Sequence, residues 1–180
     1  MNITVFCGAT SGGDPRFSAA ARDLGAWIGR AGHALVYGGS SVGLMGDVSR
    51  SALAVGAKVI GVEPRFFIEA GVAQHDLSEL IVVETMAERK AKMFELGDAF
   101  VALPGGFGTL EEMAEALSRV RLGLLDAPCF VLNVAGCYDA YEDLVASMLA
   151  HGFIDQADAD HVRFPRTVEA LAGLLHTRPN

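Results

Sequence analysis

The residues best placed for chemistry lie in Leu103-Pro104-Gly105-Gly106-Phe107-Gly108-Thr109-Leu110-Glu111-Glu112, a glycine loop followed at once by a threonine and two carboxylates. The apolar run at 98–103 reads as a buried strand, and Leu110, Met113, Ala114, Leu117 and Val120 recur behind the loop at helical spacing. A loop that leads a strand end into a helix start leaves the first helical N–H groups unpaired at the positive end of the peptide dipoles, which suits a phosphate. Glycine at 105, 106 and 108 removes the Cβ atoms that would hold an anion away from the backbone. The same residues admit a structural account, because Thr109-Leu110-Glu111-Glu112 also fits a capping box in which the glutamate satisfies the cap's own N–H. The run is longer than a cap requires, which favours a ligand site.

A second cluster, Met86-Ala87-Glu88-Arg89-Lys90-Ala91-Lys92-Met93, puts three cations within four residues near a helix start, where they oppose the helix dipole. Lys90 and Lys92 taken separately fit a solvated face. Arg89 is the candidate for function, since its planar fork can hold two phosphate or sugar oxygens at once. Two further glycine turns follow apolar runs: Cys7-Gly8-Ala9-Thr10-Ser11-Gly12-Gly13, and Gly38-Gly39-Ser40-Ser41-Val42-Gly43-Leu44-Met45-Gly46. Neither has the G-x-G-x-x-G spacing of a dinucleotide fold or the G-x-x-x-x-G-K-[ST] of a P-loop, which disfavours hydride transfer and NTP hydrolysis. Each could also be a simple strand-to-helix connection.

Phe6-Cys7-Gly8, Gly38-Gly39 with Gly43-Leu44-Met45-Gly46, Glu88-Arg89-Lys90 and the Pro104 to Glu112 run together resemble the LOG family, cytokinin riboside 5′-monophosphate phosphoribohydrolases often mislabelled lysine decarboxylases. The similarity runs in order from about Ile3 to Phe153. It implies hydrolysis of the N-glycosidic bond of a purine nucleoside 5′-monophosphate, typically N6-prenylated AMP, to free base and ribose 5-phosphate, with no metal or organic cofactor. It implies that Arg89 and Glu112 form the essential pair. The binding segment it implies comprises Gly105, Gly106, Phe107, Gly108, Thr109, Leu110 and Glu111, with Lys90, Gly38 and Gly39 completing the phosphate and substrate contacts. Three positions depart from the family pattern: Met86-Ala87-Glu88-Arg89-Lys90 stands where Met-His-x-Arg-Lys is common, so that a histidine is missing at Ala87, a frequent glutamate falls on Gly71 with Glu69 as the nearby substitute, and Arg121 stands where glutamine is frequent.

Breaking an N-glycosidic bond builds positive charge on the anomeric carbon, so a carboxylate such as Glu112 can stabilise it and take a proton from the attacking water. Arg89 would anchor phosphate or ribose oxygens and fix the sugar against that carboxylate. The rival reading is a non-catalytic nucleotide or molybdopterin-type carrier on the same fold. A decarboxylase fits less well, because none of the three lysines, Lys58, Lys90 and Lys92, sits in an apolar pattern suited to a Schiff base.

The elements that must position these groups follow from periodicity. Short apolar runs near 2–7, 34–37, 57–62, 79–83, 98–103 and 129–134 alternate with helical stretches near 16–31, 43–55, 86–97, 109–124, 138–151 and 167–176. That alternation predicts an α/β, Rossmann-like doubly wound parallel sheet in a single domain spanning 1–180, with 176–180 as a frayed tail. The glycine turns all follow strands and are expected on one carboxyl edge. The stretch 64–78 reads as the longest irregular loop.

At 180 residues and 51% hydrophobic content the chain can bury a sizeable core, and its net charge of −8 argues against a nucleic-acid partner. Three cysteines without C-x-x-C spacing and five histidines scattered without H-x-x-x-H spacing suggest neither a zinc site nor a disulfide framework. The start at Ile3-Thr4-Val5-Phe6, with no basic leader or long apolar segment, predicts a cytoplasmic protein that does not enter membranes. Met86, Met93, Met113, Leu117, Val120, Leu122, Leu124 and Leu125 carry more apolar surface than one sheet face covers, so a homodimer is expected, as the family resemblance also implies.

Overall fold

The computed structural model describes residues 1–176; the side chain of His176 and residues 177–180, where the frayed tail was expected, lie outside the described residues. Seven strands, β1 (Asn2–Phe6), β2 (Ala34–Tyr37), β3 (Val59–Pro64), β4 (Glu79–Val83), β5 (Ala99–Ala102), β6 (Cys129–Val131) and β7 (Val162–Arg163), form one sheet in the order β4-β3-β2-β1-β5-β6-β7. Every pairing is parallel. The helices are α1 (Pro15–Arg30), α2 (Gly43–Ala54), α3 (Arg65–Glu69), α4 (Met86–Leu96), α5 (Phe107–Arg121), α6 (Asp139–Ala150), α7 (Gln156–Asp160) and α8 (Val168–His176).

Alternation along each strand divides the core in two. Ile3 and Val5 of β1 face Leu24, Ile28, Val48 and Leu171 in one layer. Phe6 belongs to the other, with Val36, Met93, Phe94, Phe100 and Met113. Burial of both sheet faces explains why the central strands are continuously apolar. The one buried polar residue of β1, Thr4, is satisfied by donating its hydroxyl to the carbonyl of Met93 at 3.3 Å.

Local signals set the helix starts. Asp14 accepts the Arg16 N–H at 2.9 Å ahead of Pro15 at the first helical position, so α1 begins with both a cap and a pre-set φ. Thr85 caps α4 by accepting the Glu88 N–H at 3.1 Å, and the Glu88 carboxylate accepts the Glu84 N–H at 2.9 Å. The strand order reverses at the β1/β5 junction, and an open sheet of this kind leaves a crevice there at the carboxyl ends.

Four elements differ from the sequence expectation. The stretch 64–78 contains α3 and an antiparallel bridge between Ser40 and Ala73, so it packs back on the β2 turn instead of forming a free loop. Five-residue α7 and two-residue β7 are too short to carry a periodic signal; tertiary pairing with β6 creates β7. Helix α5 begins at Phe107, two residues before Thr109, with Gly106 as its cap residue.

Helices α1 and α2 pack so closely that a Cβ on Gly25 would overlap the carbonyl of Val48. Gly25→Ala is therefore expected to destabilise the protein by about 2 kcal/mol or more through overpacking, measured as a lower denaturant midpoint at unchanged slope.

Candidate active site

The glycine turns are tied to one another at the carboxyl edge. Gly8 donates its N–H to the carbonyl of Pro104 at 3.0 Å and accepts the Leu44 N–H at 3.1 Å. Gly43 has φ of 56°, and a Cβ there would run into the backbone of Ala9 and Thr10. The turns after β1, β2 and β5 thus close on a cavity of about 540 Å³, whose wall also includes Glu63, Phe67, Val72, Met86, Arg89, Met93 and Glu112.

Helix α5 points its start at this cavity. Gly106 makes no side-chain cap, and the first intrahelical bond closes from Leu110 N–H to Gly106 carbonyl at 3.1 Å. The amides of the first turn are left for an anion. The capping-box alternative does not hold here: Thr109 sits inside the first turn, buried, with its hydroxyl packed against the Gly105 Cα.

Arg89 is buried on α4, yet no carboxylate among the described residues lies within 4 Å of it. Its Nε donates to the Val62 carbonyl at 3.1 Å and its Nη2 to the Gly38 carbonyl at 2.7 Å. The Nη1 group has only the Met86 sulfur at 3.9 Å, so donor capacity remains for a ligand in the cavity. Gly38 is required for this grip, since a Cβ would overlap Nη2.

Glu112 lies one turn into α5, 8% exposed. Burial pushes its carboxyl up to about 7, opposed by the charge of Arg89 and reinforced by Glu111. Glu63, one residue before the end of β3 and 1% exposed, is likewise pushed up to about 7 by burial against the pull of Arg89. Cys7 is also in the wall, but burial, with Glu112 nearby, raises its thiol so far that it stays protonated and is no nucleophile.

Of the residues expected at the site, Arg89, Glu112, Gly38, Gly106, Gly108, Thr109 and Glu111 line the cavity. Gly39, Lys90, Gly105, Phe107 and Leu110 do not. Lys90 instead pairs with Glu111 and, at 2.8 Å, with Glu115, which locks α4 to α5. Leu110 packs into the core, and Phe107 is 94% exposed on the outer side. Gly39, at φ of 85°, makes room for the Glu63 side chain, and Gly105 makes room for Thr109. The departing positions Ala87, Gly71 and Arg121 all lie outside the wall, and Glu69 is exposed rather than a substitute carboxylate. Arg121 pairs with Asp158 at 3.2 Å.

A family profile described as "possible lysine decarboxylase" matches residues 45–175. The cytokinin riboside 5′-monophosphate phosphoribohydrolase of Rhodococcoides fascians is 43% identical over 177 residues, 98% of this chain and 89% of that one. Cytokinin riboside 5′-monophosphate phosphoribohydrolase LOG1 of Arabidopsis thaliana is 40% identical over 152 residues, 84% of this chain and 71% of that one. The chain belongs to the LOG family. Among solved structures, the molybdenum cofactor carrier protein of Chlamydomonas reinhardtii has the LOG-like fold at a TM-score of 0.75 and 22% identity, over 97% of this chain and 95% of that one. That likeness concerns the fold alone. The decarboxylase label finds no lysine in the cavity wall of this LOG chain: Lys58 pairs with Glu79 at 3.2 Å, Lys92 with Glu95 at 2.8 Å, and Lys90 with α5.

Glu63 is the carboxylate of the wall that sequence reading missed. Its signal was an ionisable residue directly after the apolar run Val59-Ile60-Gly61-Val62, where the other site loops also begin.

With the Glu112 carboxyl raised from its ordinary 4.5 to about 7, the folded protein binds more protons than the unfolded chain within that window. Stability therefore falls as pH rises from about 4.5 to about 7. Denaturation at pH 5 and pH 8 should show Glu112→Gln losing about 1–3 kcal/mol less than the wild type over that interval.

Proposed function

We propose that this protein hydrolyses the N-glycosidic bond of a purine nucleoside 5′-monophosphate, with an N6-modified, cytokinin-type base as the preferred class, to free base and ribose 5-phosphate. The observation that carries the reading is that a buried, carboxylate-free Arg89 and a buried Glu112 share one cavity with the uncapped start of α5. Relatives at 40 to 44% identity bear that activity in their names.

The 5′-phosphate sits on the amides of the first turn of α5, at Gly106, Gly108 and Thr109. Arg89 uses its remaining N–H groups on phosphate or ribose oxygens, so binding energy from the unreacting end of the substrate fixes the sugar. Glu112, ionised, faces the anomeric carbon. As the C–N bond breaks, its electron pair leaves with the base nitrogen while the negative charge of Glu112 stabilises the oxocarbenium-like centre. Water adds its oxygen to the anomeric carbon and gives a proton to Glu112, and the departing base takes up a proton from solvent, to which Glu112 returns its own. With a carboxyl that titrates near 7, Glu112 is poised to exchange that proton at neutral pH. No step requires a metal or organic cofactor.

Part of the apolar surface on α4 and α5 is covered within the chain, since Met93 and Met113 are buried and Leu117, Val120 and Leu125 pack on the core. Leu122 and Leu124 remain 70% and 69% exposed, with Phe107 and Met86 also open. These exposed apolar residues support a homodimer. The working compartment we infer is the cytosol, where Cys7, Cys129 and Cys137 would stay as the free thiols they are.

Incubation with AMP and with N6-isopentenyl-AMP, followed by assay of free base and ribose 5-phosphate, tests the reaction. Cleavage of at least one is expected; tight binding with cleavage of neither would favour a carrier. Glu112→Gln should retain nucleotide binding and lose roughly two or more decades of turnover. Sedimentation at micromolar concentration should give a dimer, and Leu122→Asp with Leu124→Asp should give a monomer.

A further inference from the structure

Only two buried side-chain atoms among the described residues lack a hydrogen-bond partner, Glu63 Oε2 and Gln74 Nε2. The Gln74 atom has a local cause. Its Oε1 accepts both the Tyr37 hydroxyl at 3.2 Å and the Ser49 hydroxyl at 2.6 Å, which sets the amide and leaves its nitrogen over. Gln74 also lies outside the cavity wall, whereas Glu63 is part of it. Leaving a buried carboxyl oxygen without a partner is costly, and the fold makes room for it with a glycine at 39, whose φ of 85° and missing Cβ accommodate the Glu63 side chain. Among the other wall residues, Val42, Met45, Phe67 and Val72 are apolar, Ser40 spends its hydroxyl on the Val72 carbonyl at 3.2 Å, and Arg89 donates to the carbonyls of Val62 and Gly38. Among the described residues Glu63 is therefore the wall residue with a buried polar side-chain atom left unpartnered.

Its place along the sheet says which part of a ligand it meets. Glu63 lies one residue before the end of β3, and the phosphate-binding helix start follows β5; β2 and β1 lie between them. Three strand spacings of ~4.8 Å separate the two ends by about 14 Å. That is the scale of a mononucleotide laid from its phosphate towards the outer edge of its base. We propose that Glu63 is a specificity residue: its carboxyl group pairs with an N–H or O–H donor at the outer end of the base, so that the cavity prefers nucleotides carrying such a donor over those ending in an alkyl group. This rests on the nucleotide reading of the site. A carboxyl accepts a hydrogen bond whether neutral or ionised, so the preference holds on both sides of its titration. A site built around a buried polar group rejects a ligand that leaves it unpaired far more strongly than an apolar pocket rejects an added hydroxyl.

The donor has two possible sources, the unsubstituted exocyclic amine of AMP or a hydroxyl on an N6-alkenyl substituent. Calorimetry in the Glu112→Gln background, where turnover does not interfere, distinguishes them with three ligands: AMP, N6-isopentenyl-AMP and its terminally hydroxylated counterpart. At least one donor-bearing nucleotide is expected to bind roughly tenfold or more tighter than N6-isopentenyl-AMP. Adding Glu63→Met or Glu63→Leu should bring that ratio to within about twofold of unity or invert it, while Glu63→Gln, which keeps a hydrogen-bonding end, should preserve it. Two substitutions of differing shape are included so that a folding defect in one leaves the other to decide. Equal affinities for all three ligands with Glu63 in place, or ratios untouched by both apolar substitutions, would overturn the assignment of Glu63 alone. Failure of all three ligands to bind any of these proteins would overturn the nucleotide reading beneath it.

Discussion

The site depends on a guanidinium held out of water by carbonyls instead of carboxylates. Arg89 reaches from α4 over the carboxyl edge of the sheet to the backbone oxygens of Gly38 and Val62, at the ends of adjacent strands. Parallel strands ending together present their last carbonyls to the same edge, so a cation there is hydrogen-bonded without being neutralised. A buried charge needs partners, and dipoles satisfy its geometry while leaving its net charge for a ligand. Had a carboxylate been the partner, the cavity would hold a closed ion pair. The same arrangement accounts for the two carboxyls nearby, both pushed up by burial and both eased downward by the unneutralised arginine.

Much of the glycine content follows from that edge. Gly38 lets the arginine approach, Gly39 admits Glu63, Gly43 passes over the Ala9 backbone, and Gly105 accepts the Thr109 side chain. At Gly39 and Gly43 a positive φ is needed as well as space. These glycines stabilise a crowded crossing of three turns and so act on the site through packing. Gly106 and Gly108 differ, since open space surrounds their Cβ positions and both border the cavity. Their lack of side chains leaves the helix amides accessible. Lys90 contributes from outside the cavity by joining α4, which carries Arg89, to α5, which carries Glu112, so the relative position of the two depends on a surface ion-pair network with Glu111 and Glu115.

Legibility in the sequence was uneven for physical reasons. The central strands and the longer helices announced themselves because burial on both sheet faces and on one helix face imposes patterns several residues long. The start of α5 was misplaced by two residues, because Thr109 and Glu112 have the residue types of a capping box while a glycine at 106 begins the helix without one. Short α3, α7 and β7 carried no periodicity, being products of the surfaces they lie on.

Residue type and spacing alone determined that the chain would alternate strand and helix and that its glycine turns would share one edge, and they made Arg89 and Glu112 candidates that the resemblance to the LOG family then singled out. Those are local properties, set by side-chain volume, polarity and backbone freedom. Tertiary structure alone decided that Lys90 turns away to pair with α5, that Arg89 lies against carbonyls, and that Glu63 stands unpaired in the wall. Which partner a charged side chain meets, and how much water it loses, depends on residues brought in from distant strands, and no window along the chain contains that information.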